Sequence, residues 1–256
     1  TVSGITASDK TYDGNAVATL NTGSILYSGL INGDTFSGTY TGAFNNANAG
    51  TGKTVTITPS YTGADVSNYS VTDHSTITAD VAVKALTATA STANKTYDGT
   101  TTATTTLTFT GLVGTETLGQ TVASTFDTKN YGSNKTVTVN SITLANGSNG
   151  GLAANYSISP GQTTTANVTA KALTAIASAT NKVYDSTTLA NTTLTLSGLI
   201  GSETLNVTAN STFDNKIYDG NTVATIDIST INYGGLVAGD DVVISTSGNF
   251  SDRNVA

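Results

Sequence analysis

The sequence predicts an all-β protein, built as tandem immunoglobulin-like β-sandwich repeats in an elongated array. Three observations predict it. One octet recurs four times, as DKTYDGNA at 9–16, NKTYDGTT at 94–101, NKVYDSTT at 181–188 and NKIYDGNT at 215–222. The first three copies are spaced by a unit of about 85 residues, the mark of a repeat architecture. Between the octets, short runs alternate apolar and polar residues with a period of two, as half-buried strands do. Each unit offers about seven such runs, the count expected of an immunoglobulin-like sandwich. A β-grasp-like repeat is the alternative, but it calls for an amphipathic helix, and no ten-residue stretch has that periodicity.

The octet reads as strand, turn, strand. Gly14, Gly99 and Gly220 can take positive φ without a Cβ clash, and Asp13, Asp98 and Asp219 can accept local backbone hydrogen bonds. In the third copy Asp185 is followed by Ser186, so the turn there tolerates a Cβ. Tyr12, Tyr97, Tyr184 and Tyr218 precede the turns and read as buried anchors with hydroxyls near solvent. A catalytic reading of the Tyr-Asp pair is set aside, because identical sites on a spaced array suit architecture.

The first repeat spans 1–84. TVSGITAS is its first strand, Asn32-Gly33-Asp34 a turn, and DTFSGTYTGAF an alternating strand carrying Phe36, Tyr40 and Phe44. KTVTITPS puts Val55 and Ile57 on one face and Thr54, Thr56 and Thr58 on the other. Asp65-Val-Ser-Asn-Tyr69 has the form of a tyrosine corner, in which the Tyr hydroxyl bonds upstream backbone. The second repeat, 85–171, follows the same order. Leu107 and Phe109 share one face and Val137 and Val139 another. Ile142 and Leu144 are out of phase with the latter pair, which predicts a bulge or bend. Tyr156 matches Tyr69, but Leu152 stands where the corner Asp would be, so a weaker corner is expected.

Residues 172–256 are irregular. The third copy is truncated near 214, and a fourth begins near 215 and is incomplete. A single hybrid sandwich is expected over two half-domains with exposed sheet edges.

Composition narrows the function. Charged residues make up 11%, with ten Lys and Arg against seventeen Asp and Glu. The net charge of −7, without a basic cluster, excludes a nucleic-acid partner. No apolar run approaches the length of a membrane span. With no cysteine there are no disulfides and no thiol chemistry.

Together, the Lys-x-Tyr-Asp-Gly octet, the Ser/Thr-Gly-Leu, the Asn-Tyr-Ser and the Ala-Asp-Val-x-x-Lys-x-Leu-Thr stretch resemble the YDG-repeat family of bacterial surface and secreted adhesins. They include proteins that resemble filamentous haemagglutinin and leave the cell by two-partner secretion. The resemblance covers essentially the whole chain. It implies an extended stalk or fibre segment, extracellular or on the bacterial surface; neighbouring repeats are its expected partners, and identical chains join them if 172–256 leaves sheet edges open. It supplies no catalytic residues and no cofactor.

Other chemistry is thin. His74 has no equivalent in the other repeats, so neither a triad nor a histidine metal site is built. Asp240 and Asp241 are the one calcium candidate. At the equivalent places Asp34, Glu116 and Glu203 are single carboxylates that shape turns. Lys53 and Lys135 recur at one strand start, but no buried Glu accompanies them to catalyse an isopeptide bond. Asn68 and Asn155 head matching Asn-Tyr-Ser sequons. Three functions follow. The first is a structural stalk, which could assemble head to tail if TVSGITAS completes a neighbour's open sheet around Leu194, Leu196, Ile226 and Ile228. The second is a module that binds exopolysaccharide or host glycan. An enzyme comes last, because no acid/base constellation converges.

Overall fold

A computed structural model describes residues 1–73, 76–179 and 192–208, and the backbone of short strand segments between 212 and 249. It is all-β, with several sheets in a sandwich-like arrangement. The described residues contain no α-helix, only the 3-10 turns Val66–Asn68 and Ala153–Asn155. The chain forms two compact units. The first comprises 1–90, 106–123 and 139–162, and the second 91–105, 124–138 and 163–256.

In the first unit, five strands form one sheet in the order Lys10–Thr11, Thr76–Ala82, Gly50–Thr62, Ser37–Phe44, Val17–Ala18. Alternation sets its buried face: Lys53, Val55 and Ile57 point inward, while Thr54, Thr56 and Thr58 are exposed. Two short ladders pair Val2–Ser3 with Leu26–Tyr27 and Thr6–Ala7 with Leu20–Asn21. Val2 and Ile5 bury against Ile57, and Ala7 and Leu20 pack on the core around Val55, so these ladders form the second layer. Phe36 gathers Tyr27, Tyr61 and Tyr69 around it, with ring centroids 5.2, 5.1 and 5.9 Å away.

The sheet is mixed. Lys10–Thr11 runs parallel to Thr76–Ala82, unlike the all-antiparallel sheets of an immunoglobulin domain. The whole repeat intervenes between these two strands, so no hairpin forces them antiparallel. Beside that pairing the register shifts between Gly50 and Lys53. There Gly52 has φ +58° and its N–H meets Asp80 Oδ1 at 2.7 Å. The second repeat has the same shift before Lys135, where Asn134 has φ +52° and its N–H meets Asn167 Oδ1 at 2.8 Å.

The second repeat also has the same strand order: Lys95–Thr96, Thr163–Thr169, Gly132–Asn146, Leu118–Phe126, Thr102–Ala103. Its two long strands give residues to both compact units. The predicted phase change is present. Val137 and Val139 are buried, Asn140 and Ser141 are both exposed, and Ile142 and Leu144 are half-buried. In the second unit Ala103, Phe126, Val137, Ala166 and Val168 form a core on which Tyr97 packs. There too, Leu173–Ala179 lies between Thr192–Ser197, antiparallel, and Val242–Thr246, parallel.

Candidate functional site: the octet turn and its acidic receptor

The octet folds around its lysine. Lys10 Nζ reaches Asp13 Oδ1 at 2.7 Å, the Asn15 carbonyl at 2.8 Å and the Val17 carbonyl at 3.1 Å. Lys95 Nζ repeats this with Asp98 Oδ1 at 2.7 Å, the Thr100 carbonyl at 2.8 Å and the Thr102 carbonyl at 2.9 Å. The ammonium thus replaces water for carbonyls that the tight turn leaves unpaired. Asp13 and Asp98 also accept the N–H two residues on, as Asx turns do. At Asp13 burial alone would raise the carboxyl pKa, but Lys10 and the Asn15 N–H outweigh it and the pKa falls. Asp98 is held down at about 2, first by Lys95 and then by the Thr100 N–H. Gly14 and Gly99 take φ +80° and +78°, as the sequence predicts.

This geometry sends the preceding tyrosine toward the next repeat rather than toward solvent. Within the first unit, Tyr12 is 4% exposed and its hydroxyl donates to Glu116 Oε1 at 2.6 Å. Glu116 belongs to the second repeat. It closes a turn by donating its own N–H to the Val113 carbonyl at 3.1 Å. Its other oxygen, Oε2, accepts the Tyr156 hydroxyl at 2.6 Å, and that hydroxyl in turn accepts the Val113 N–H at 2.9 Å. The two tyrosine rings meet edge to face, with centroids 5.4 Å apart. Gly14 lies against Val113, where a Cβ would come within 2.7 Å of Val113 Cγ1. A second clasp lies alongside: Asn155, 1% exposed, accepts the Ala49 N–H at 2.9 Å and donates to Asn48 Oδ1 at 3.1 Å. Burial raises the Tyr12 pKa to about 12, with Glu116 adding to the shift, and both effects raise Tyr156 as well.

Within the second unit the latch recurs. The Tyr97 hydroxyl donates to Glu203 Oε1, which is also 3.8 Å from Lys129 Nζ. The Glu203 N–H closes its turn on the Ile200 carbonyl at 3.1 Å, and a Cβ on Gly99 would come within 2.8 Å of Ile200 Cγ2. The bond to Glu203, and secondarily burial, raises the Tyr97 pKa. Next to this latch is a half-open cleft of about 260 Å³, lined by Asn130, Tyr131, Lys171, Leu173 and Glu203.

The Tyr69 hydroxyl meets upstream backbone, as predicted, and a carboxylate besides. Tyr69 OH accepts the Ile31 N–H at 3.0 Å and donates to Asp34 Oδ2 at 2.5 Å, so it closes on a turn far upstream rather than on its own corner. Asp65 takes the Thr35 N–H at 2.8 Å instead. Tyr156 keeps the same geometry although Leu152 stands in the Asp position, because that Asp is not among the hydroxyl's partners. Asp34, Glu116 and Glu203 therefore do shape turns, and Glu116 and Glu203 are also receptors that sequence reasoning missed. The recurring signal was a Tyr before each turn and an acid in the next repeat.

Lys53 donates to Asn46 Oδ1 and to the Asn48 carbonyl, both at 2.6 Å, and burial lowers its pKa. Lys135 pairs with Asp127 at 2.9 Å. Among the described residues no cluster of three or more His, Cys, Asp or Glu could hold a metal ion. His74, Tyr184, Asp185, Tyr218, Asp219, Gly220, Asp240 and Asp241 lie outside the described residues.

The sequence model of the YDG domain matches residues 1–79, 82–166 and 169–217. The chain belongs to the YDG-domain family. Neither the curated proteins nor the solved structures contain a significant match to it. The matched segments of this YDG protein include both latches, from Tyr12 to Glu116 and from Tyr97 to Glu203. No described helix is long and apolar enough to cross a membrane.

Proposed function

We propose that the chain is a structural segment of an extracellular bacterial stalk or fibre, part of an adhesin similar to filamentous haemagglutinin and exported by two-partner secretion. The recurring latch carries this reading: the octet tyrosine of one repeat is bonded to the turn acid of the next, twice over, with a glycine against an aliphatic side chain each time. Such a joint resists bending and torsion between neighbours, which a stalk needs and an isolated binding domain does not. Covalent tandem repeats fit the structure better than strand exchange between molecules. Val2 and Ile5 of the first strand are buried in their own repeat, so donating that strand would empty a core. Small-angle scattering of the intact chain tests the array and should give an elongated particle; a compact globule would overturn it. Antibody labelling of intact cells tests the location.

The cleft beside Tyr97 favours a second reading, a glycan-binding module. Tyr131, 42% exposed, offers a ring face, and Asn130, Lys171 and Glu203 offer polar groups at its rim, the combination that holds a sugar. A glycan array would support it through saturable binding that Tyr131→Ala removes.

A further inference from the structure

The second repeat receives the first through Val113, Glu116, Asn155 and Tyr156. The first repeat carries the same four positions as Ile31, Asp34, Asn68 and Tyr69, with the receptor geometry already formed. The Ile31 N–H meets Tyr69 OH at 3.0 Å, that hydroxyl meets Asp34 Oδ2 at 2.5 Å, and the Asp34 N–H closes its turn on the Ile31 carbonyl at 3.1 Å. What differs is cover. Asn155 and Tyr156 are 1% and 5% exposed, whereas Asn68 is exposed and Tyr69 half-buried. Val113 is half-buried against Gly14, while Ile31 is 68% exposed. In the occupied receptor one carboxylate oxygen takes the local tyrosine and the other takes the incoming one. In the first repeat the local tyrosine uses Asp34 Oδ2.

We propose that the face formed by Ile31, Asp34, Asn68 and Tyr69 is a socket for the Tyr-Asp-Gly turn of a further YDG repeat delivered in tandem. The incoming tyrosine donates to Asp34 Oδ1, its turn glycine lies against Ile31, and Asn68 clasps the loop that corresponds to 46–49. Asp34 is one methylene shorter than Glu116, so the turn seats slightly deeper. The occupant follows from the two filled receptors, each of which takes this turn. Tandem delivery follows from how the filled receptor is reached. Lys84–Ala85 pairs in parallel with Tyr156–Ser157, and the Leu86 N–H meets the Ser157 carbonyl at 2.8 Å, so the connecting strand is anchored beside the receptor. A tethered repeat arrives at high effective concentration, which so small a contact patch needs. The socket is independent of the stalk reading: a vacant face would not remove the latches already formed, and a different cellular location would not empty the socket.

The test is a fusion that places a second copy of residues 1–85 directly ahead of Thr1, compared with the parent chain. NMR with a soluble paramagnetic probe reads the accessibility of the Ile31 methyls and the Asn68 side-chain amide. In the fusion both should become protected, and the leading copy's Ala49 amide should exchange about tenfold or more slower than it does in the fusion carrying Ile31→Glu in the receiving copy. Replacing the leading copy's tyrosine (Tyr12→Phe), or Ile31→Glu in the receiving copy, should reverse the protection. Ile31→Glu leaves the parent chain folded, since Ile31 is exposed there. A folded leading copy with Ile31 and Asn68 still as accessible as in the parent would overturn the proposal. Concentration-dependent protection of the same groups in the parent chain would also overturn it, by placing a second molecule in the socket.

Discussion

Replacing Tyr12 with Phe removes one oxygen and leaves a ring that still packs against Tyr156 and the core. The hydroxyl lost is 2.6 Å from a carboxylate oxygen, so the bond is charge-assisted. Bonds of that class contribute roughly 1.5–3 kcal/mol. Glu116 is only half-buried and keeps Tyr156 on its other oxygen, so water can partly replace the lost donor. We therefore expect Tyr12→Phe to cost about 1–2 kcal/mol, below the full charged-bond value. Glu116→Ala should cost more, about 2–3 kcal/mol, because two hydroxyls then lose their acceptor. The decisive quantity is the coupling. In urea melts of the single and double variants, the double should fall short of the sum by about 1 kcal/mol. Additivity within about 0.3 kcal/mol would show that the short contact carries no energy, and would refute the latch as a mechanical element.

Further outcomes follow from the same geometry. Gly14→Ala should destabilise by about 2 kcal/mol or more, from its positive φ and the approach of Val113; a neutral result in a thermal melt would contradict the packing. Lys95→Met should cost about 1–3 kcal/mol, because the Thr100 and Thr102 carbonyls lose their donor; circular dichroism melts would detect this. Tyr12 has its folded pKa raised to about 12 from an ordinary 10, so its contribution is intact below pH 10 and lost as pH rises toward 12. Alkaline unfolding should accordingly be shallower in Tyr12→Phe. Asp98, lowered to about 2, contributes above about pH 4 and loses its contribution as pH falls toward 2. Its side chain is half exposed, so Asp98→Asn should flatten the acid limb by no more than about 1 kcal/mol.

Much of the fold was legible because it is periodic. The alternation that buries Val55 and Ile57 and exposes the threonines between them is written in KTVTITPS, and the turn glycines are written in the octet. Even the slip between Val139 and Ile142 could be read, since a period-two pattern shows its own breaks. The parallel pairing of Lys10–Thr11 with Thr76–Ala82 could not, because nothing local sets the direction of strands a whole repeat apart. The latch was hidden for a similar reason. Tyr12 and Glu116 belong to different repeats, and a hydroxyl at the edge of a turn reads as solvent-facing until a neighbour covers it. The octet lysine, Lys10 in the first copy, was in plain view in every octet. Its role emerges only when Asp13, Asn15 and Val17 curl around one ammonium. The corner hydroxyl does bond upstream backbone, the Ile31 N–H, but its second partner Asp34 was not legible, because it lies 35 residues away in sequence.

The central claim is that the octet tyrosine and the turn acid hold successive repeats together. Native-state hydrogen exchange on Glu116→Ala tests it most directly. If the latch joins the repeats, exchange should quicken on both sides of it, at the octet amides of Asn15 and Val17 and the loop amide of Ala49, as well as at the turn amides of Val113 and Glu116. The amides of Val137 and Val168 should be unchanged. Faster exchange confined to 113–116, with the octet and the 46–49 loop still protected, would contradict the claim and make the acid a turn-former alone.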